Sequence, residues 1–320
     1  MTASLPADPR PDSERCNEHH SECRSDDRPA TSLPLRLKAG CKINLYLHIT
    51  GVREDGYHEL DTLFYPLPEP SDTLDLEAGA PDSGLTLLCE RADLCTERNT
   101  LHKAWRMFGE ATGYQPDLRL TLTKGVPDGA GLGGGSADAA VFLNYLNTAA
   151  GKAALDANAL NALAARIGAD VPFFLNNVPA RATGIGEKLV PDNVDLSGFI
   201  LLLACPPEHV STPWAFKAWD ETRSAKVGKN APDQLTLPAH MYTRPSSRAL
   251  WLFNSFESVV FAAFPKLRAY KGSLIRHGAA AVVMSGSGAS LFALYREMEK
   301  AMQASDSLAR EGVRTFIHHL

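Results

Sequence analysis

Pro127-Asp128-Gly129-Ala130-Gly131-Leu132-Gly133-Gly134-Gly135-Ser136-Ala137-Asp138 carries five glycines in seven residues, with a helical run directly behind them. Glycine reaches positive φ without strain and leaves no Cβ between backbone and ligand. Ser136-Ala137-Asp138-Ala139-Ala140 opens the helix, and Ala139, Phe142, Leu143 and Leu146 recur at helical spacing. A glycine loop feeding a helix N-terminus presents free backbone N–H groups and the positive end of the helix dipole. Together these suit an anion, most often a phosphate.

A flexible surface loop is the plain alternative, but such loops rarely run straight into an amphipathic helix. A dinucleotide fold is a second, because Gly129-x-Gly131-x-x-Gly134 fits GxGxxG. That pattern needs a strand ending in an acid about twenty residues on. Asp156 has the spacing, yet the segment after it, Ala157 to Ile167, reads as helix and no strand intervenes. A P-loop needs Gly-Lys-Ser/Thr, and Gly135-Ser136 lacks the lysine. A phosphate loop of another kind remains.

The chain has 320 residues, enough for two domains. A net charge of −5 gives no nucleic-acid surface, and no apolar run is long enough to span a membrane. The N-terminus has no apolar stretch of the secretory kind. Six cysteines in a chain this long do not make a disulfide framework and fit free thiols in a reducing cytoplasm. Residues 1–33 are polar and read as a disordered tail. Cys16, His19, His20 and Cys23 lie within it at a spacing that is not that of a usual zinc finger.

From Ile43 to Ile49 the alternation is that of a strand. Ile43, Leu45, Leu47 and Ile49 share one face, and Lys42, Asn44, Tyr46 and His48 the other, which on pattern alone is a wet polar face on an edge strand. Asp55-Gly56 is a turn signal, and Tyr57-His58 follows on a strand. Residues 72–88 read as short strands with turns at Ala80-Pro81 and Ser83-Gly84. Asn99 is placed to cap a helix from Leu101 to Thr112. Leu118, Leu120 and Leu122 form a strand leading through Lys124, which is either a phosphate contact or a solvated strand end. Asp156 caps a helix that Gly168 stops. Asp170 precedes Val-Pro where a helix cap would stand. Phe199 to Ala204 is a short apolar strand, residues 222–247 form a variable loop, and a helix breaks at Pro265. Met284-Ser285-Gly286-Ser287-Gly288-Ala289 lies between strand-like runs, as a hairpin would, and the chain closes with a helix from Glu297 to Ala309 and a last strand.

Four separated segments together resemble the GHMP kinases. They are Ala39-Gly-Cys-Lys42-Ile-Asn44-Leu, the loop at 127–140, Gly168-Ala-Asp170-Val-Pro-Phe, and Ser285-Gly-Ser287-Gly288-Ala. The segments Arg53-Glu-Asp-Gly-Tyr57-His58 and Val210-Ser-Thr-Pro-Trp-Ala-Phe216 are similar to those of the branch that acts on a cytidyl substrate. The resemblance covers about 35–320. It implies an α+β, two-domain GHMP kinase fold, with a ribosomal-protein-S5-like N-terminal domain over 34–195 and a ferredoxin-like α/β C-terminal domain over 196–320.

The implied reaction is phosphoryl transfer from ATP, with Mg²⁺, to the 2-hydroxyl of 4-diphosphocytidyl-2-C-methyl-D-erythritol in non-mevalonate isoprenoid synthesis. Lys42 and Asp170 would be catalytic. Asn99, Pro127, Gly129, Ala130, Gly131, Leu132, Gly133, Gly134, Gly135 and Ser136 would hold ATP. Asn44, Tyr57, His58, Asp170, Phe216, Ser287 and Gly288 would hold the substrate, with Tyr57 and Phe216 as walls around cytosine. The expected partners are these small molecules, without nucleic acid or membrane, in a cytoplasmic monomer or weak homodimer. Another GHMP small-molecule kinase, of homoserine or mevalonate type, and a non-catalytic nucleotide-binding module are the competing readings.

Overall fold

The computed structural model describes residues 32–226 and 252–320. The tail, its Cys16–Cys23 cluster and most of the expected loop at 222–247 lie outside the described residues.

Two long strands open the chain: β1 (Leu35–Val52) and β2 (His58–Ala78) pair antiparallel along nearly their full length. The turn between them is set by Gly56 at φ 84°, with the Arg53 N–H donating to the Tyr57 carbonyl. The region read as short strands from Asp72 is instead the end of β2, and only β3 (Leu85–Cys89) is short. A strand can run this long because β-bulges re-aim it. Register shifts fall at Ala39/Cys41, Asn44/Tyr46 and Ile49/Gly51.

Helix α1 (Thr100–Thr112), strand β4 (Leu118–Thr123) and helix α2 (Gly134–Ala149) follow. Then come α3 (Ala157–Ile167), α4 (Val171–Asn176), β5 (Ala180–Gly184) and β6 (Lys188–Pro191). Asp156 caps α3 by accepting the Ala159 N–H at 2.8 Å, as its position suggested.

Chain order then passes to β7 (Ile200–Cys205), α5 (Thr212–Lys226), β8 (Phe253–Asn254), α6 (Glu257–Ala263) and α7 (Pro265–Arg276). The last elements are β9 (Ala281–Met284), β10 (Leu291–Tyr295), α8 (Met298–Arg310) and β11 (Arg314–His319). The interruption at Pro265 separates α6 from α7 as proline requires. Helix α5 runs to Lys226, into the stretch expected to be loop.

The first sheet has the order β3-β4-β2-β1-β8, with β5 on β2 and β6 on β5. The second is antiparallel, β11-β7-β10-β9. Strand β1 is therefore no edge, since β8 pairs with it parallel at Tyr46–Leu47.

Three apolar layers follow from alternation. Leu74, Leu76, Leu120 and Leu122 pack beneath α1 and α2. Ile43, Leu45 and Leu63 meet Leu201, Leu203 and Phe292 of the second sheet. The alternate residues Leu202, Ala204, Leu291 and Ala293 face α6, α7 and α8. Phe292 is fully buried where the two sheets meet. Phe292→Ala is expected to cost about 3–5 kcal/mol, measured by equilibrium denaturation, while leaving far-UV dichroism unchanged.

Candidate active site

The glycine loop lies against the polar face of β1, and this contact rewrites what that face is. The Lys42 N–H donates to the Leu132 carbonyl at 2.9 Å. A Cβ on Gly133 (φ 74°) would press on the Phe174 ring at 3.0 Å and on Lys42 Cγ at 3.3 Å. Lys42 is 5% exposed and Asn44 1%, so the half of the strand expected to be wet is covered. The expectation holds only at its far end, where His48 is exposed.

Burial of an ammonium demands partners, and Lys42 has three. Its Nζ donates to Asn44 Oδ1 at 2.7 Å, lies 3.7 Å from Asp170 Oδ2, and stands 4.9 Å from the Phe64 ring centre. Burial lowers the Lys42 pKa, and the Asp170 carboxylate opposes that shift. Asn44 is fixed in turn by donating through Nδ2 to Thr62 Oγ1 at 2.8 Å.

Asp170 precedes α4 but makes no capping bond with it. Its side chain is 30% exposed and directed to Lys42. The reading of Asp170 as a cap thus gives way to that of an available carboxylate beside a buried lysine. A Cβ built on Gly168 would approach Ser136 Oγ at 3.8 Å, so the first turn of α2 lies beside the Gly168-Ala169-Asp170 turn. Strand β1 and the loop–α2 junction therefore hold Lys42, Asn44 and Asp170 beside the glycine loop.

The second glycine loop, between β9 and β10, closes the other side. Ser285 Oγ accepts the Asn44 N–H at 3.2 Å and donates to the Gly131 carbonyl at 3.0 Å, joining strand, glycine loop and hairpin at one atom. A Cβ on Gly131 (φ 73°) would collide with the Ser285 carbonyl, so only glycine fits this crossing. Asn254 orders the hairpin by donating to the Met284 and Gly286 carbonyls at 2.6 and 2.8 Å. Ser287 is 6% exposed and bonds Thr212 Oγ1 at 2.8 Å, and Gly288 has φ 92°. Asn99 is engaged at both ends of its amide, capping Leu101 N–H and donating to the Leu94 carbonyl.

Lys124 is neither a solvated strand end nor free for phosphate. It is drawn inward by two carboxyl groups, Asp72, which is fully buried, and Asp138, which is 2% exposed. Asp72 also accepts the Gly125 and Val126 N–H groups at 2.7 and 2.8 Å. Asp138 Oδ2 lies 3.2 Å from Lys124 Nζ, and its Oδ1 is buried without a partner. One lysine thus ties the entrance of the loop to the helix at its exit. Burial raises the Asp138 pKa to about 8, with Asp72 adding to the rise and Lys124 opposing it. For Lys124, burial works downward but the two carboxyl groups prevail and raise its pKa.

A cavity of about 360 Å³ opens between Arg53, Tyr57, Ala169 and Glu187, next to Asp170. Tyr57 is 60% exposed at its rim. His58 stacks on Phe216, ring centres 4.4 Å apart at 29°. Sequence reasoning brought together Lys42, Asn44, Asp170, the loop and the hairpin. It assigned no role to Thr62, Asp72, Asp138 or Ser285, although Asp138 and Ser285 stand inside the two quoted glycine motifs; Thr62 and Asp72 are polar residues in a strand with no further local signal.

Models of the GHMP kinases N terminal domain and the GHMP kinases C terminal domain match residues 99–177 and 244–314. A 4-diphosphocytidyl-2-C-methyl-D-erythritol kinase of Oleidesulfovibrio alaskensis is 47% identical, over 89% of this chain and 98% of its own length. The chain belongs to the GHMP kinases, in the 4-diphosphocytidyl-2-C-methyl-D-erythritol kinase family. A kinase of the same name from Lawsonia intracellularis is 39% identical, over 89% of this chain and 96% of its own length. Among solved structures, a 4-(cytidine 5'-diphospho)-2C-methyl-D-erythritol kinase superposes with TM-score 0.69 at 34% identity, over 88% of this chain and 98% of that one. A homoserine kinase from Cytophaga hutchinsonii shares the fold at TM-score 0.61 and 18% identity, over 90% of this chain and 95% of that one.

In this kinase the raised Asp138 pKa has a measurable sign. The carboxyl keeps its proton in the folded state up to about pH 8 but loses it near its ordinary value when unfolded. Its contribution is fully present below about pH 4 and is lost as pH rises to about 8. Asp138→Asn, which cannot ionise, should therefore gain on the wild type between pH 5 and pH 8.5, by at least about 1 kcal/mol in urea denaturation. A gap independent of pH would contradict this protonation state.

Proposed function

We propose that this kinase transfers the γ-phosphoryl group of ATP to the 2-hydroxyl of 4-diphosphocytidyl-2-C-methyl-D-erythritol, in the non-mevalonate route to isoprenoid precursors. The observation that carries the reading is the Lys42–Asp170 pair, 3.7 Å apart beside the glycine loop, in a chain whose relatives bear that kinase's name at 47–50% identity.

Phosphoryl transfer passes through a loose transition state rich in charge on oxygen, so positioning and electrostatics dominate. The amides from Gly129 to Ser136, at the N-terminus of α2, cradle the β- and γ-phosphates. Pro127, Ala130 and Leu132 shape the loop, and Asn99 borders the adenine. Asp170 orients the substrate hydroxyl and accepts its proton. Lys42 neutralises charge on the transferred group, and its burial magnifies that effect in a low local dielectric. Asn44 holds the lysine toward the reacting atoms. Ser287 and Gly288 line the substrate from the hairpin, and Tyr57, His58 and Phe216 receive the cytosine.

Magnesium accompanies ATP in this reading. Among the described residues no three His, Cys, Asp or Glu side chains cluster as a metal cage. The residues suit an ion that keeps several waters and leans on phosphate oxygens, and Ser136 and Asp170 are the residues that would help to hold it. Bound there, the ion supplies charge neutralisation on the β- and γ-phosphates. We further divide the chain into domains at 195/196, between β6 and β7, and assign the kinase to the cytoplasm as a monomer or weak homodimer. Among the described residues no helix is long and apolar enough to cross a membrane.

Coupled ADP release with Mg-ATP tests the reading. Turnover is expected with 4-diphosphocytidyl-2-C-methyl-D-erythritol and not with homoserine or mevalonate; the reverse would move the chain to another GHMP activity. Asp170→Asn and Lys42→Ala should each lower kcat by at least about 10²-fold. Near-normal turnover in both would remove the assignment of catalytic residues.

A further inference from the structure

His58 has a partner that nothing in its sequence neighbourhood announces. Its Nε2 lies 2.8 Å from Oδ1 of Asp220, 162 residues away on α5. The imidazole side chain is 9% exposed, while the carboxylate of Asp220 is 43% exposed. Two further residues of α5 immobilise the ring. Phe216 stacks on one face at 4.4 Å, and Trp219 meets it edge-on with ring centres 5.7 Å apart at 80°. Phe216 is itself backed by Phe256 at 4.9 Å and 83°. Rotation about χ2 would break the Asp220 contact, so which nitrogen faces the helix is fixed by packing.

A carboxylate accepts and does not donate. The nitrogen facing Asp220 must therefore carry the hydrogen, and in the neutral ring the other nitrogen, Nδ1, is then a lone-pair acceptor. Among the described residues Nδ1 has no hydrogen-bond partner. The pyrimidine nucleobases differ at the atom such an acceptor reads: cytosine presents an amino donor at C4, and uracil presents a carbonyl acceptor there. An acceptor meeting a carbonyl leaves both lone pairs unpaired, and a site built around a hydrogen bond discriminates strongly against the analogue that cannot make it.

We propose that Asp220 is a specificity-determining positioning residue. Through its hydrogen bond it holds His58 as the Nε2–H tautomer, so that Nδ1 accepts from the cytosine amino group and rejects a uridyl substrate. The proposal rests on the reading that the substrate is cytidyl and that His58 meets its base. Asp220 need not touch the substrate, because it acts through the imidazole.

The test compares wild type and Asp220→Ala in the coupled assay, with the cytidyl substrate and its uridyl counterpart, beside nitrogen-15 NMR of the His58 ring. Asp220 is a helix-surface position, and melting curves check that the variant is folded. In the neutral wild-type ring, Nε2 should carry the hydrogen and Nδ1 none, with a marked preference for the cytidyl compound in kcat/KM. In Asp220→Ala the protonation of the two nitrogens should become mixed. The cytidyl-to-uridyl ratio should fall at least about tenfold, chiefly through KM, with kcat at saturating cytidyl substrate little changed.

A wild-type ring protonated at Nδ1, or an unchanged ratio in the variant, overturns the proposal. Absence of wild-type turnover with the cytidyl compound would instead overturn the reading of the substrate on which the proposal stands, so the two failures are distinguishable.

Discussion

A buried ammonium beside a glycine-rich loop is the constraint on which this structure depends. Lys42 projects from a central strand into a region that the glycine loop, α4 and Asn44 have emptied of water. An unpaired charge there would be costly, and would shift toward its neutral form. Asp170, Asn44 and the Phe64 ring offset the cost. The same loop supplies amides that want an anion and a carbonyl, at Leu132, that receives the Lys42 N–H. Strand, loop and the Lys42–Asp170 pair are therefore one unit, and displacing any of them exposes or orphans a charge.

The second sheet contributes by bracing that unit. Ser285 bonds the Asn44 amide and the Gly131 carbonyl, and Asn254 orders the hairpin that carries Ser285. Beneath the loop, Asp72 receives two consecutive amides and Lys124 bridges Asp72 to Asp138. Such a network leaves the loop little freedom, which would reduce the ordering cost of any ligand bound there. Electrostatic stabilisation of phosphoryl transfer benefits from the same preorganisation, because the dipoles need not reorient as charge develops.

Much of this was legible in the chain. Alternation from Ile43 to Ile49 marks the strand and its apolar face, and the glycine density at 129–135 marks a tight loop that feeds a helix. Asp156 and Asn99 read as helix caps and are helix caps. What failed to show was tertiary. Lys42 and Asn44 sat on a face that local pattern makes wet, because the loop covering it arrives about 90 residues later. Lys124 looked like a solvated end because its partners are 52 residues before it and 14 after it. The segment from Asp72 looked like the start of separate short strands because Pro66, Pro68 and Pro70 stand before it, while β1 pairs with β2 on both sides of them and makes it one strand. The Asp220 contact to His58 has no local signature at all.

Amide hydrogen exchange across the loop, with and without a non-hydrolysable ATP analogue and Mg²⁺, reads out whether the glycine loop holds the phosphates. Protection should rise over residues 129–137, where backbone N–H groups meet the phosphates, and at the start of α2. Unchanged exchange there, with protection appearing elsewhere on the chain, would contradict the assignment of this loop as the phosphate site.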